Sequence, residues 1–478
     1  MRTSKLITIL KALDEVETRQ FYRYVRAPFF TKSDDVLNLY KYIRKFYPKF
    51  DTPKLERKKV YAKLFPKSIY DGPKLRNLIL KLTKILEDYL IYVKCQQDSF
   101  AKKKLLTQIY GERNIYGLFE KNTNDLLQDL EAQPFRDATF FYDNYALQRD
   151  FYFHPNTPQQ GEVVSILKKS LLNLQEFQNI ERLQTSLELK NRERILSEKH
   201  DFEVDNLQIA ASKTIITKLL KELINLVEKN ENSCPQAKEA SFFQAKALFF
   251  ENIQGISPKN GLAVFTALVN YATWQISKQS KYIKEVYELY KLGIETKLLL
   301  RKNEISNTIF LNTCITGTKL RDFDFIEGFI LEYEQFLREA TRAELKALSL
   351  SYLYYHQSSY TEVIETLEDF RFSNILYKIN AKSLLVRTYF QIYEKDSSYH
   401  KLVLAKCTAF SRFIRNTDSI NEKKKQSYLN FISLLKKITY QKELLLVNSA
   451  TKRRLLVQLN KYENILAREW IRKKIDCL

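Results

Sequence analysis

The chain has 478 residues, a net charge of +22 and only 9 Gly and 10 Pro, too few turn-formers for a many-stranded sheet among so many helix-forming Leu, Lys, Glu and Gln residues. The composition therefore predicts an all-α protein. The five scattered cysteines (Cys95, Cys234, Cys314, Cys407 and Cys477) form no Cys-x-x-Cys pair, which argues against the common zinc frameworks and for reduced, mostly packed thiols.

The charge is uneven. Residues 1 to 110 carry a net +14 and residues 401 to 478 a net +12, while the middle carries −4. Two basic ends can mark a nucleic-acid or acidic-partner surface; a solvated, lysine-rich exterior would give the same count. The opening residues hold only a short apolar run before Lys11, Asp14 and Glu15, unlike a signal peptide, and no stretch approaches the ~18 apolar residues of a membrane span. A cytoplasmic address is expected.

Residues 1 to 110 read as a basic helical domain. Ser4 can cap a short helix through Leu13, and Val16, Phe21, Tyr24 and Val25 form the apolar stripe of the next, which Ala27 and Pro28 end. Ser33 or Asp34 then caps a helix that stops before Pro48. Pro53 opens another, which carries Val60 and Tyr61 up to Phe65 and Pro66, and Gly72 and Pro73 launch a long helix with Leu75, Leu78, Leu82, Leu86 and Tyr89 inward. The same spacing predicts that this long helix runs past Val93 into Lys102, Lys103 and Lys104.

Phe21, Tyr24, Val25, Ala27, Pro28, Phe29, Phe30, Thr31 and Lys32, then Pro48, Phe50, Val60, Tyr61, Leu64, Phe65 and Pro66, resemble the opening of an uncharacterised helical family common in Bacteroidota. Leu75, Arg76, Asn77 and Leu78 and the closing Arg468, Glu469, Trp470 and Ile471 extend the likeness, although Ala27 stands where the pattern has Ser. The resemblance implies a bacterial protein of helical build and carries no activity with it. Residues 54 to 93 are also similar to a helix-turn-helix. In that arrangement Lys74, Arg76, Asn77, Lys81 and Lys84 would face DNA, although no glycine-rich hairpin follows to make a wing.

Residues 111 to 235 read as helical hairpins. An aromatic-rich helix carries Phe140, Phe141, Tyr142, Tyr145, Phe151, Tyr152 and Phe153 beside Asp137, Asp143 and Asp150, a neighbourhood that favours packing over base stacking. Val163, Val164, Leu167, Leu171, Leu174, Phe177, Ile180, Leu183 and Leu187 then recur at helical steps, in one long amphipathic helix or the arm of a hairpin.

Residues 236 to 478 carry an internal repeat. Tyr282, Phe323, Tyr360 and Tyr399 each follow a short polar turn and stand 41, 37 and 39 residues apart. Leu350, Ser351, Tyr354, Tyr355, Ser358, Ser359, Tyr360 and Val363 resemble a tetratricopeptide repeat, with Ser351 and Ser358 where that motif prefers Gly and Val363 where it prefers Ala. The period exceeds the usual ~34 residues. The expected architecture is an N-terminal helical domain followed by a tetratricopeptide-like α-solenoid, closed by basic capping helices over residues 419 to 441 and 449 to 475.

No phosphate-binding glycine loop, dinucleotide fingerprint, nucleophile elbow or zinc-protease motif occurs. His154 and His200 fall in polar loops and His356 and His400 at repeat turns, where surface roles are expected, and the acidic residues around His200 (Glu193, Glu198, Asp201, Glu203 and Asp205) fit no ligand spacing. The expectation is a protein with no catalytic, cofactor or metal site: a scaffold that binds a protein or peptide, or alternatively a nucleic-acid-binding regulator acting through its basic first domain.

Overall fold

A computed structural model describes residues 1–31, 33–158, 163–195, 212, 214–227, 235–276, 279–444 and 448–478. The acidic residues from Glu198 onward, His200, Cys234 and Lys278 lie outside these residues, as does the side chain of Glu193. The protein is all-α, and its described residues fall into two compact units, Met1–Gln133 with Phe140–Leu174, and Pro134–Thr139 with Gln175–Leu478.

The first unit is built on local capping. Ser4 accepts from the Ile7 N–H at the start of α1 (Lys5–Ala12), and Asp14 forms a full capping box with Glu17 on α2 (Glu15–Arg26). After α3 (Asp34–Arg44) and the short α4 (Arg57–Leu64), Asp71 caps α5 (Gly72–Gln97), whose Leu82, Leu86 and Tyr89 are buried against Leu6, Phe21 and Tyr40. The Tyr40 and Tyr89 hydroxyls donate to the carbonyls of Thr18 and Glu17 at 2.9 and 3.1 Å, so these buried phenols are satisfied. The long helix does not continue to Lys104. Asp98 accepts from the Ala101 N–H and starts a separate α6 (Ser99–Glu112).

α7 (Tyr116–Glu131) and α8 (Ala138–Tyr152) follow; Phe140, Phe141 and Phe151 are buried as the packing reading expects, while Tyr142 and Phe153 stay exposed. The apolar run from Val163 forms one unbroken helix, α9 (Val163–Ile195), which passes from the first unit into the second. Its stripe is not wholly inward: Leu171 is 60% exposed, while Ser170, Asn179 and Ser186 are buried.

The second unit packs helices mainly against their neighbours in sequence. α10 (Ile215–Val227) meets α11 (Pro235–Asn252) and α12 (Pro258–Ile276), and α12 meets α13 (Tyr282–Glu295). A two-residue hairpin unforeseen from composition, β1 (Leu300–Arg301) and β2 (Glu304–Ile305), turns through Lys302 and Asn303 at positive φ.

Three further pairs follow: α14 (Asn307–Lys319) with α15 (Phe323–Tyr333), α16 (Glu339–Gln357) with α17 (Tyr360–Leu367), and α18 (Ile375–Tyr393) with α19 (His400–Arg415). α14 also packs on α16 and α16 on α18, which is compatible with a helical repeat.

Two of the turns are superimposable in kind. Arg321 and Ser358 both adopt the left-handed conformation, and in each turn the next residue donates its N–H five residues back, Asp322 to the Gly317 carbonyl and Ser359 to Tyr354. The aromatic after the turn opens α13, α15 and α17 and directly precedes α19, as the spacing predicts. Val363, Leu367 and Val403 pack inward behind it, whereas Leu402 is turned outward.

The chain ends in α20 (Glu422–Glu443), α21 (Ser449–Lys461) and α22 (Arg468–Asp476). The last expected helix is broken after Lys461, where the Arg468 guanidinium donates to the carbonyls of Leu459, Tyr462 and Glu463 and so stabilises the exposed end of α21.

Gly317 lies where α13, α14 and α15 meet: a Cβ there would stand 2.4 Å from Ile326 Cδ1 and 2.7 Å from the Tyr287 ring. Both neighbours are buried. Gly317→Ala is therefore expected to destabilise the second unit by about 2 kcal/mol in urea melts, because overpacking outweighs the ~1 kcal/mol gained in helix propensity.

Candidate functional site

Lys74, Arg76, Asn77, Lys81 and Lys84 are all exposed on α5. Lys74, Asn77, Lys81 and Lys84 recur at steps of three and four and share one face within about 80°, with Arg76 on its flank. Lys74 sets its ammonium 4.0 Å from the centre of the Phe65 ring, and among the described residues none of the five pairs with a carboxylate. The same face is not purely basic: Leu80 is 60% exposed beside it, and Asp88 follows Lys84 one turn on.

A second basic cluster lies in the second unit, at residues the sequence did not group together. Lys319 ends α14, Arg321 follows in the left-handed turn, His356 stands at the end of α16 and Arg387 projects from α18. The Arg387 guanidinium lies over the ring of the buried Tyr355, 5.5 Å from its centre, and the His356 ring meets the edge of Tyr355 at 5.3 Å. The first helices of three successive pairs thus supply the cluster, with an aromatic platform under it.

The electrostatics confirm that these groups crowd one another. Burial first, then Arg387, Lys319 and Arg321, push the His356 imidazole down from 6.5 to about 4, so it is neutral near pH 7. Lys319 is exposed, yet partial desolvation and then Arg387 hold its ammonium below the usual lysine range, with Glu469 acting in the opposite direction. Glu469, on α22, is the one carboxylate that acts on Lys319 or His356 in this balance. Lys319, Arg321 and Arg387 thus set positive charge around a neutral imidazole, with Glu469 opposing it at Lys319. An arriving anion would also favour protonation of His356.

The missed signal was the first residue of each repeat turn, which is basic four times over, at Lys278, Lys319, His356 and Lys395. A cation there also complements the helix C-terminus, so the pattern alone does not separate binding from helix stabilisation. His356 is half-buried where a surface position was expected. His154 is buried too: the turn after α8 folds back so that its ring stacks on Phe119 at 4.5 Å, and its Nδ1 accepts from the Asn156 N–H.

The thiols of Cys314 and Cys407 are buried, and burial pushes each up to about 12, which leaves them unreactive as nucleophiles at neutral pH. Among the described residues no group of three or more His, Cys, Asp or Glu could hold a metal ion, and no helix is long and apolar enough to cross a membrane. Comparison with known protein families, curated proteins and solved structures gave no match to this chain.

Proposed function

We propose that the chain is a non-enzymatic, cytoplasmic scaffold whose tetratricopeptide-like repeats bind an acidic segment of a partner protein. The observation that supports this is the cluster of Lys319, Arg321, His356 and Arg387, drawn from three successive helix pairs, with Glu469 opposing it at Lys319. Crowded cations raise the free energy of the unbound protein, and a row of carboxylates relieves that repulsion at several positions at once.

The test is fluorescence anisotropy of the full chain with a labelled Glu- and Asp-rich peptide of about ten residues, against its Gln and Asn counterpart. Saturable binding of the acidic peptide, weakened by salt and absent for the amide peptide, is expected. Equal binding of both, or of neither, would overturn the reading.

A second reading is supported by the unpaired row of Lys74, Asn77, Lys81 and Lys84 on α5, which suits a phosphate backbone. Duplex and single-stranded DNA and RNA, titrated at about 50 and 200 mM salt, test it. Salt-sensitive binding that Lys74→Ala, Arg76→Ala and Lys81→Ala abolish together would favour nucleic acid over the acidic peptide.

A further inference from the structure

On the side of α18 turned about 180° from Arg387, nine residues back along the helix at ~100° each, lies a cavity of about 110 Å³ between the end of α17, α18 and α19. Leu367, Phe370, Phe372, Leu385 and Phe410 supply apolar wall, and Lys378, Lys382, Lys406 and Glu368 supply the charge.

The carboxylate is already engaged. Glu368 accepts from the Lys406 ammonium and, at 3.0 Å, from the Tyr389 hydroxyl, and although burial opposes it these donors keep it ionised. Lys378 and Lys382, one turn apart on α18, have no carboxylate partner among the described residues, and both set their ammonium groups near the Phe413 ring, at 5.5 and 5.3 Å from its centre. Asp369, beside Glu368 in sequence, is exposed and makes no ion pair among the described residues. An aromatic face attracts a cation without neutralising it. With Lys406 and Glu368 offsetting each other, two half-buried like charges at i and i+4 remain in excess; partial burial, then Lys378 and, more weakly, Lys406 hold Lys382 below its ordinary range, with Glu368 acting in the opposite direction.

We propose that this cavity binds a phosphate group, free or carried by a small phosphomonoester. The excess of two positive charges matches a group that carries close to two negative charges at neutral pH, and lysine ammonium groups bind phosphate as point charges. The apolar walls leave room for part of an organic body. The site is independent of the acidic-segment reading, because it lies on the opposite side of α18 and uses none of Lys319, Arg321, His356 or Arg387.

The experiment is isothermal titration and thermal melting of the full chain with phenyl phosphate, inorganic phosphate, benzoate and phenol. Phenyl phosphate is expected to bind saturably and raise the melting temperature, with benzoate and phenol at least about tenfold weaker. Tight binding of inorganic phosphate as well would assign recognition to the free ion; binding of phenyl phosphate alone would assign it to the ester. Lys378→Gln and Lys382→Gln should each weaken the interaction about tenfold or more while leaving the ligand-free melting temperature unchanged or higher, since each relieves repulsion. A merely structural role for these lysines would lower that temperature instead. No saturable response to either phosphate by about 10 mM, or an unchanged response in both variants, would overturn the proposal.

Discussion

Replacing Glu344 by alanine is expected to destabilise the second unit by about 2 to 3 kcal/mol, read as a shift of the urea midpoint at constant slope. Glu344 is buried on α16 and reaches the segment that enters α18. Its Oε1 accepts from the backbone N–H of Ser373 at 2.7 Å and from the Ser373 hydroxyl, and its Oε2 accepts from the Asn374 N–H at 3.3 Å. Asn374 is itself the N-cap of α18, so the carboxylate also sits at the favourable end of that helix dipole. Alanine would leave two backbone donors and a hydroxyl without their acceptor; Ser373 is exposed and can turn to water, so the cost is that of the lost charge-assisted bonds more than of full desolvation. Glutamine keeps one acceptor oxygen and should cost about half as much.

Arg387→Glu is expected to weaken acidic-peptide binding by about 100-fold, because it removes one cation of the cluster and adds a repelling charge. The same substitution removes a named cause of the low His356 pKa and should raise it, so the histidine reports on the cluster even without a ligand. Arg387→Gln separates loss of charge from loss of the Tyr355 contact, since it shortens the group without reversing the field.

A pH dependence follows from His356. Its folded pKa is depressed from 6.5 to about 4, so its contribution to stability is fully present above 6.5 and declines as pH falls toward 4, where the unfolded chain takes up the proton first. Binding runs the other way. A bound anion raises the folded pKa, so affinity for the acidic peptide should increase between pH 7 and pH 5 with net proton uptake.

Much of the architecture was legible because its causes are local. Ser4, Asp14 and Asp71 cap helices within three residues of their partners, and the aromatics at Tyr282, Phe323 and Tyr360 mark helix starts through turn chemistry that the chain carries in short segments. The breaks that went unread have no Gly or Pro to announce them: Asp98 divides α5 from α6 by one side-chain hydrogen bond, and α21 ends on contacts to Arg468, which follows several residues later.

The apolar stripe of α9 gave the helix but not which of its residues are covered. Its leucines have helical spacing, but which of them are covered depends on tertiary packing, and Leu171 stays mostly exposed. Lys319, His356 and Arg387 were invisible as a group because three successive helix pairs bring them together from positions more than 30 residues apart.

The most direct measurement is the pH titration of the His356 ring by isotope-edited NMR, in the free chain and with saturating acidic peptide; only four histidines need to be resolved. The account predicts a pKa of about 4 in the free chain and a rise of about one unit or more on binding, lost in Arg387→Glu. A free value near 6.5, or a titration that the peptide leaves unchanged, would contradict it.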